Sequence, residues 1–139
     1  MNPVRYDVLQ RKKEIIAREL KILREIQKRR KSDKRDEILE HALLHAMQNC
    51  ISAIIAIAQH IVSEKSGRAP ESYSDAIREL GVLGVLEQKF AEEFCRVAKL
   101  RNVRVHLYDN VDTDFLFSLA STLIKDTQSF VKQLDKAHL

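Results

Sequence analysis

Apolar residues at Val8, Leu9, Ile15, Ile16, Leu20, Leu23 and Ile26 recur at spacings of three, four and seven. Such spacing stacks them along one stripe and predicts an amphipathic helix over roughly Pro3 to Arg30, with Pro3 in the first turn, where its missing N–H is harmless. No apolar residue occurs from Lys28 to Asp36, which marks a water-exposed link, and Ser32 or Asp33 is placed to cap the next helix. That second helix is expected over about Asp33 to Ser63. Around Ile51 to Ala58 it is apolar on nearly every side, as befits the central element of a bundle. Its exceptions are informative: His41, His45, Gln48 and Ser52 recur at four, three and four residues as one polar stripe, with Asn49 beside it.

The connection SEKSGRAPESYS, with Gly67 and Pro70, reads as the longest loop. Ser72 and Asp75 then have capping-box spacing for a short helix to Leu80, interrupted by Gly81 and Gly84. A longer helix from about Val85 would turn Leu86, Phe90, Phe94, Val97 and Ala98 inward and run into LRNVRVHLYDN, Leu100 to Asn110. Asp112 caps a last helix that carries Phe115, Leu116, Leu119, Leu123, Phe130 and Leu134 on its apolar face. Four long helices and one short one predict an all-α, antiparallel four-helix bundle with an additional short helix, a single domain over residues 1–139.

Composition narrows this further. With 3 Gly and 2 Pro in 139 residues, the chain has too little turn chemistry for a many-stranded sheet. Cys50 and Cys95 sit in apolar helical patterns and read as buried free thiols. No charged-then-apolar leader and no run of 18 apolar residues is present, so a cytoplasmic protein without membrane contact is expected. Charge is uneven: residues 1–35 hold 13 Lys or Arg against 5 Asp or Glu (+8), and residues 36–139 hold 11 against 15 (−4). The basic first segment suits nucleic acid, an acidic partner or simply a solvated face. Lys12, Lys13, Arg24, Lys28, Arg29 and Arg30 are its candidates for following a phosphate backbone.

The chemistry concentrates at Arg101, Asn102, Arg104, His106 and Tyr108. Arginine offers a planar, permanently charged fork for a phosphodiester, and a histidine titrates near neutrality. Together they could cleave RNA without metal, with His106 moving protons and Arg101 stabilising charge on the phosphate. Asn102 would orient the histidine or bind a phosphate oxygen. On an ideal helix, however, Arg101 and His106 lie about 140° apart. Either the helix ends or bends near Val105, or a second copy of the chain completes the site. The same residues also suit an ordinary terminus, with Arg101 and Arg104 at the negative helix end, His106 capping a carbonyl and Tyr108 packing at the turn. Glu37, His41 and His45 recur every four residues but lack a clear fourth ligand, so no metal or other cofactor is expected.

RNVRVHLY resembles the Arg-x4-His-x-Tyr signature of HepT toxins, a branch of the HEPN superfamily of small helical ribonucleases. The resemblance extends over nearly the whole chain: a long basic first helix, a central helix rich in alanine and isoleucine, Tyr-Ser-Asp-Ala-Ile after the proline loop, and Gly-Val-Leu-Gly before the motif helix. It implies a metal-independent endoribonuclease toxin of a type II or type VII-like toxin–antitoxin pair, leaving 2′,3′-cyclic phosphate ends. It also implies a homodimer in which two motifs line one cleft, with Arg101 and His106 catalytic and Asn102 and Arg104 in support. Tyr108 would be the residue to which a cognate minimal nucleotidyltransferase antitoxin attaches AMP. The stripe of His41, His45, Gln48 and Asn49 either lines that cleft, forms a polar dimer seam or stays a partly exposed surface. Leu107 departs from the glycine many relatives carry there, which moves the expected turn to Asp109-Asn110. The alternative is a non-catalytic adaptor of the HEPN type that presents substrate to a nucleotidyltransferase.

Overall fold

A computed structural model describes residues 4–31, 34–102 and 112–139. Its elements are α1 (Tyr6–Arg29), α2 (Glu37–Ser66), α3 (Tyr73–Val82), α4 (Gln88–Phe94), a 3-10 helix (Cys95–Asn102) and α5 (Thr113–Lys136). Cross-helix contacts fix their directions. Arg5 meets His60 and Glu19 meets Asn49, so α1 and α2 are antiparallel. Glu87 and Phe94 lie against Gln133 and Phe130, so the rod of α4 and its 3-10 continuation runs opposite to α5. The order is up, down, up, down, with α3 as the additional short helix, as the periodicity predicts.

The centre is α2. Ile51, Ile54, Ile57, Ala58 and Ile61 are fully buried, enclosed by Leu9, Ile16 and Leu23 of α1, Ala76, Ile77 and Leu80 of α3, and Phe130 and Leu134 of α5. Each large side chain so buried contributes about 1.5–3 kcal/mol relative to exposure. By length and composition α2 could cross a membrane, yet 56% of its most apolar window is covered by other helices, as a core helix requires. Cys50 is buried and free, and burial pushes its thiol up to about 11, leaving it neutral and unreactive at physiological pH. Cys95 is likewise a buried free thiol.

Several expected boundaries move, each for a local reason. Asp36 caps α2, its carboxylate accepting from the Ile38 and Leu39 amides at 3.0 and 3.2 Å, whereas Ser32, Asp33 and Pro3 lie outside the described residues. Gly67, at φ +72°, closes α2 in the left-handed conformation that glycine adopts at least cost. Ser72 caps α3 as expected, accepting from the Asp75 amide. Gly81 does not interrupt α3 but lies inside it, because α4 packs so close that a Cβ there would come within 2.8 Å of the Ala91 Cβ. Leu86 is buried before α4 begins, and Phe115 is 61% exposed rather than inward. The largest change is in the motif helix, which is α-helical for only seven residues and then tightens into eight residues of 3-10 helix.

Candidate active site beside a tightened helix

Arg101 stands on the last turn of the 3-10 helix, with Asn102 after it. Arg104, His106 and Tyr108 lie outside the described residues, as do Val103, Val105, Leu107, Asp109 and Asn110. The backbone leaves α geometry at Cys95, so Arg101 itself stands on 3-10 helix rather than on the α-helix expected there. An eight-residue 3-10 run is unusually long, and such stretches often accompany functional positions. At the transition the Ser74 hydroxyl donates to the Cys95 carbonyl at 3.2 Å, tying the first turn of α3 to the start of the tightened segment.

The guanidinium of Arg101 lies over the ring of Tyr73, 4.7 Å from its centroid. The sequence pattern assigns Tyr73 no role. Twenty-eight positions separate the two, and no local pattern links residues so far apart.

The other end of the undescribed stretch is also anchored. Glu40, only 1% exposed, accepts from Arg35 Nε at 2.9 Å and from the Thr113 hydroxyl at 2.7 Å. One buried carboxylate thus joins the link, the start of α2 and the start of α5. Beside it a cavity of about 320 Å³ is lined by Arg30, Lys31, Lys34 and Arg35 together with Asp112 and Asp114. The Arg30 guanidinium bonds Asp114 and covers the Phe117 ring at 4.4 Å.

The polar stripe of α2 is split. His41, His45 and Ser52 are exposed or partly so, while Gln48 and Asn49 are half-buried. Asn49 Nδ2 lies 3.1 Å from His45 Nε2 and reaches Glu19 of α1 at 3.5 Å. These contacts direct part of the stripe toward α1. Among the described residues no three His, Cys, Asp or Glu side chains gather as a metal site, Glu37, His41 and His45 included. The basic first helix is less available than its composition suggests: Lys13 is held by Asp135 at 2.6 Å, Arg29 by Glu25 at 3.3 Å, and Arg30 by Asp114.

A family model described as "Ribonuclease HepT-like" matches residues 13–134. The chain belongs to the HepT-like ribonuclease family. That membership makes it a ribonuclease. Among HepT relatives, the mRNA nuclease HepT of Shewanella oneidensis is 26% identical over 98 residues, covering 70% of this chain and 74% of that protein. The tRNA nuclease HepT of Aphanizomenon flos-aquae is 31% identical over 90 residues, or 64% of this chain and 60% of that protein. In fold, the chain superposes on the tri-AMPylated Shewanella oneidensis HEPN toxin in complex with MNT antitoxin. The TM-score is 0.81 at 23% identity, with 94% of this chain and 98% of that one covered. A cytosolic protein of unknown function from Bacillus subtilis gives a TM-score of 0.77 at 21% identity, over 99% and 92%. The all-α bundle expected from the helix pattern, and the HEPN fold that the resemblance implies, are thus the fold shared with the Shewanella HEPN toxin.

Proposed function

We propose that this HepT-like ribonuclease is the toxin of a toxin–antitoxin pair, an endoribonuclease that cuts RNA without metal in the cytoplasm. Residues 1–139 act as one helical domain. The observation that carries the reading is Arg101 with its guanidinium seated on a neutral ring, in a chain whose family is a ribonuclease family. In the proposed reaction His106 takes the proton of the RNA 2′-hydroxyl, whose oxygen attacks the adjacent phosphorus. The 5′-oxygen leaves with a proton and the 2′,3′-cyclic phosphate remains. Arg101 stabilises the negative charge gathering on the phosphate oxygens, supported by Asn102 and Arg104.

One histidine cannot serve readily as base and acid at once, so a second copy of the chain supplies the second imidazole. Ile38, 80% exposed, and Phe115, 61% exposed, flank the Glu40–Thr113 contact and suit such a pairing. Lys31 and Lys34, both exposed beside the cavity at the start of α5, would receive flanking RNA phosphates.

Control follows from Tyr108. The superposable Shewanella toxin is tri-AMPylated and bound to an MNT antitoxin. AMP units attached to Tyr108 by a cognate minimal nucleotidyltransferase would set negative phosphates beside Arg101 and compete with RNA. Coexpression with a cognate minimal nucleotidyltransferase should raise the intact mass in whole adenylate steps and silence RNA cleavage. Tyr108→Phe should remain unmodified and active. A mass unchanged by coexpression, or an adduct retained in Tyr108→Phe, would reject this control.

A further inference from the structure

The ring beneath Arg101 is more than packing. Eight of the other described arginines, from Arg5 to Arg78, lie within 4.0 Å of a carboxylate. Arg101 has no such partner among the described residues; what holds it is the face of Tyr73. The difference matters chemically. A carboxylate would orient a guanidinium by occupying its N–H edge and cancelling its charge, both of which a phosphate needs. An aromatic face orients the same group through the flat side, leaving charge and donor edge for a ligand.

Tyr73 is itself well fixed. It is the first residue of α3, placed directly after Ser72, whose hydroxyl accepts from the Asp75 amide at 3.1 Å. The next residue, Ser74, bonds the Cys95 carbonyl, and Arg78 one turn on joins Asp75 at 2.7 Å and Glu92 at 3.4 Å. The ring is therefore braced against the segment that carries Arg101.

We infer that Tyr73 is a positioning residue for RNA cleavage: its ring face holds the Arg101 guanidinium without neutralising it, leaving N–H donors for the scissile phosphate. This rests on the ribonuclease reading proposed for the site. The test compares wild type, Tyr73→Phe, Tyr73→Leu, Arg101→Ala and the double variant Tyr73→Leu/Arg101→Ala on one labelled RNA. Tyr73→Leu keeps bulk and helix propensity, so folding is expected to hold, which circular dichroism checks.

Misplacing a group that acts in the transition state should lower kcat by about 10- to 100-fold while KM stays within about twofold. Tyr73→Phe, which keeps the ring face, should retain activity within about threefold of wild type. In the double variant the loss should equal that of Arg101→Ala alone, because the ring acts only through that arginine. Additive losses would overturn the inference. So would a rise in KM with unchanged kcat, the mark of a base stacked directly on the ring. Failure of wild type to cut RNA would instead remove the ribonuclease reading; cleavage lost in His106→Ala but untouched in Tyr73→Leu would remove this inference alone.

Discussion

Alanine at His106 is expected to lower RNA cleavage by about 10²- to 10⁴-fold, the range that a positioned proton carrier supplies. Imidazole titrates near pH 6.5 when unperturbed, so both protonation states are accessible at neutrality, which no other side chain of the motif offers. Arg101 and the lysines of the link remain in the variant, so KM should change little while kcat falls. Single-turnover digestion of a labelled RNA separates the two. A loss below about tenfold would transfer the proton work elsewhere and favour the adaptor reading, in which His106 is dispensable and partner binding is the whole function.

Replacing Phe130 with alanine should give the largest loss of stability, about 3–5 kcal/mol. Its side chain is fully buried in α5, and its ring meets that of Phe94 at 5.3 Å between centroids, tilted by 33°. Removing it forfeits the transferred area and opens a cavity that neighbouring helices cannot fill without moving. Phe94 in turn stacks on Phe90 at 5.0 Å and stands immediately before the change from α to 3-10 geometry. Loosening at Phe130 should therefore reach the motif helix as well as the core. Urea unfolding followed by circular dichroism gives the number. A cost under about 1 kcal/mol would mean that the interface between α4 and α5 is not packed as described.

The long helices were legible because each repeats its pattern over many turns. Leu9, Ile16, Leu20, Leu23 and Ile26 mark α1 wherever its ends are drawn, and the middle of α2, apolar on nearly every side, can only be central. The misplaced features are those decided by one or two contacts. Ser32, Asp33 and Asp36 are all competent caps, and only the bonds to Ile38 and Leu39 single out Asp36. Phe115 fits the α5 stripe by spacing, but at the third helical position it lies outside the packed part of that face. Val97 and Ala98 stand only two and three residues into the 3-10 helix, where periods of 3.0 and 3.6 have diverged by about 40–60°, too little to betray the change.

The site divides in the same way. Arg101 and the motif could be found because their residue types carry their chemistry with them. Tyr73 could not, because its relation to Arg101 exists only once α3 has folded back along the motif helix. Nor could composition foresee that Lys13 would be held by Asp135, 122 positions away, rather than offered to a phosphate.

The most direct test of the central claim, that an arginine and a histidine cleave RNA by attack of its own 2′-hydroxyl, is the chemistry of the product ends formed in excess chelator. Wild-type protein should leave 2′,3′-cyclic phosphate and 5′-hydroxyl termini at an undiminished rate, and Arg101→Ala and His106→Ala should leave almost none. Products bearing 3′-hydroxyl and 5′-phosphate ends, or cleavage that ceases with chelation, would contradict it.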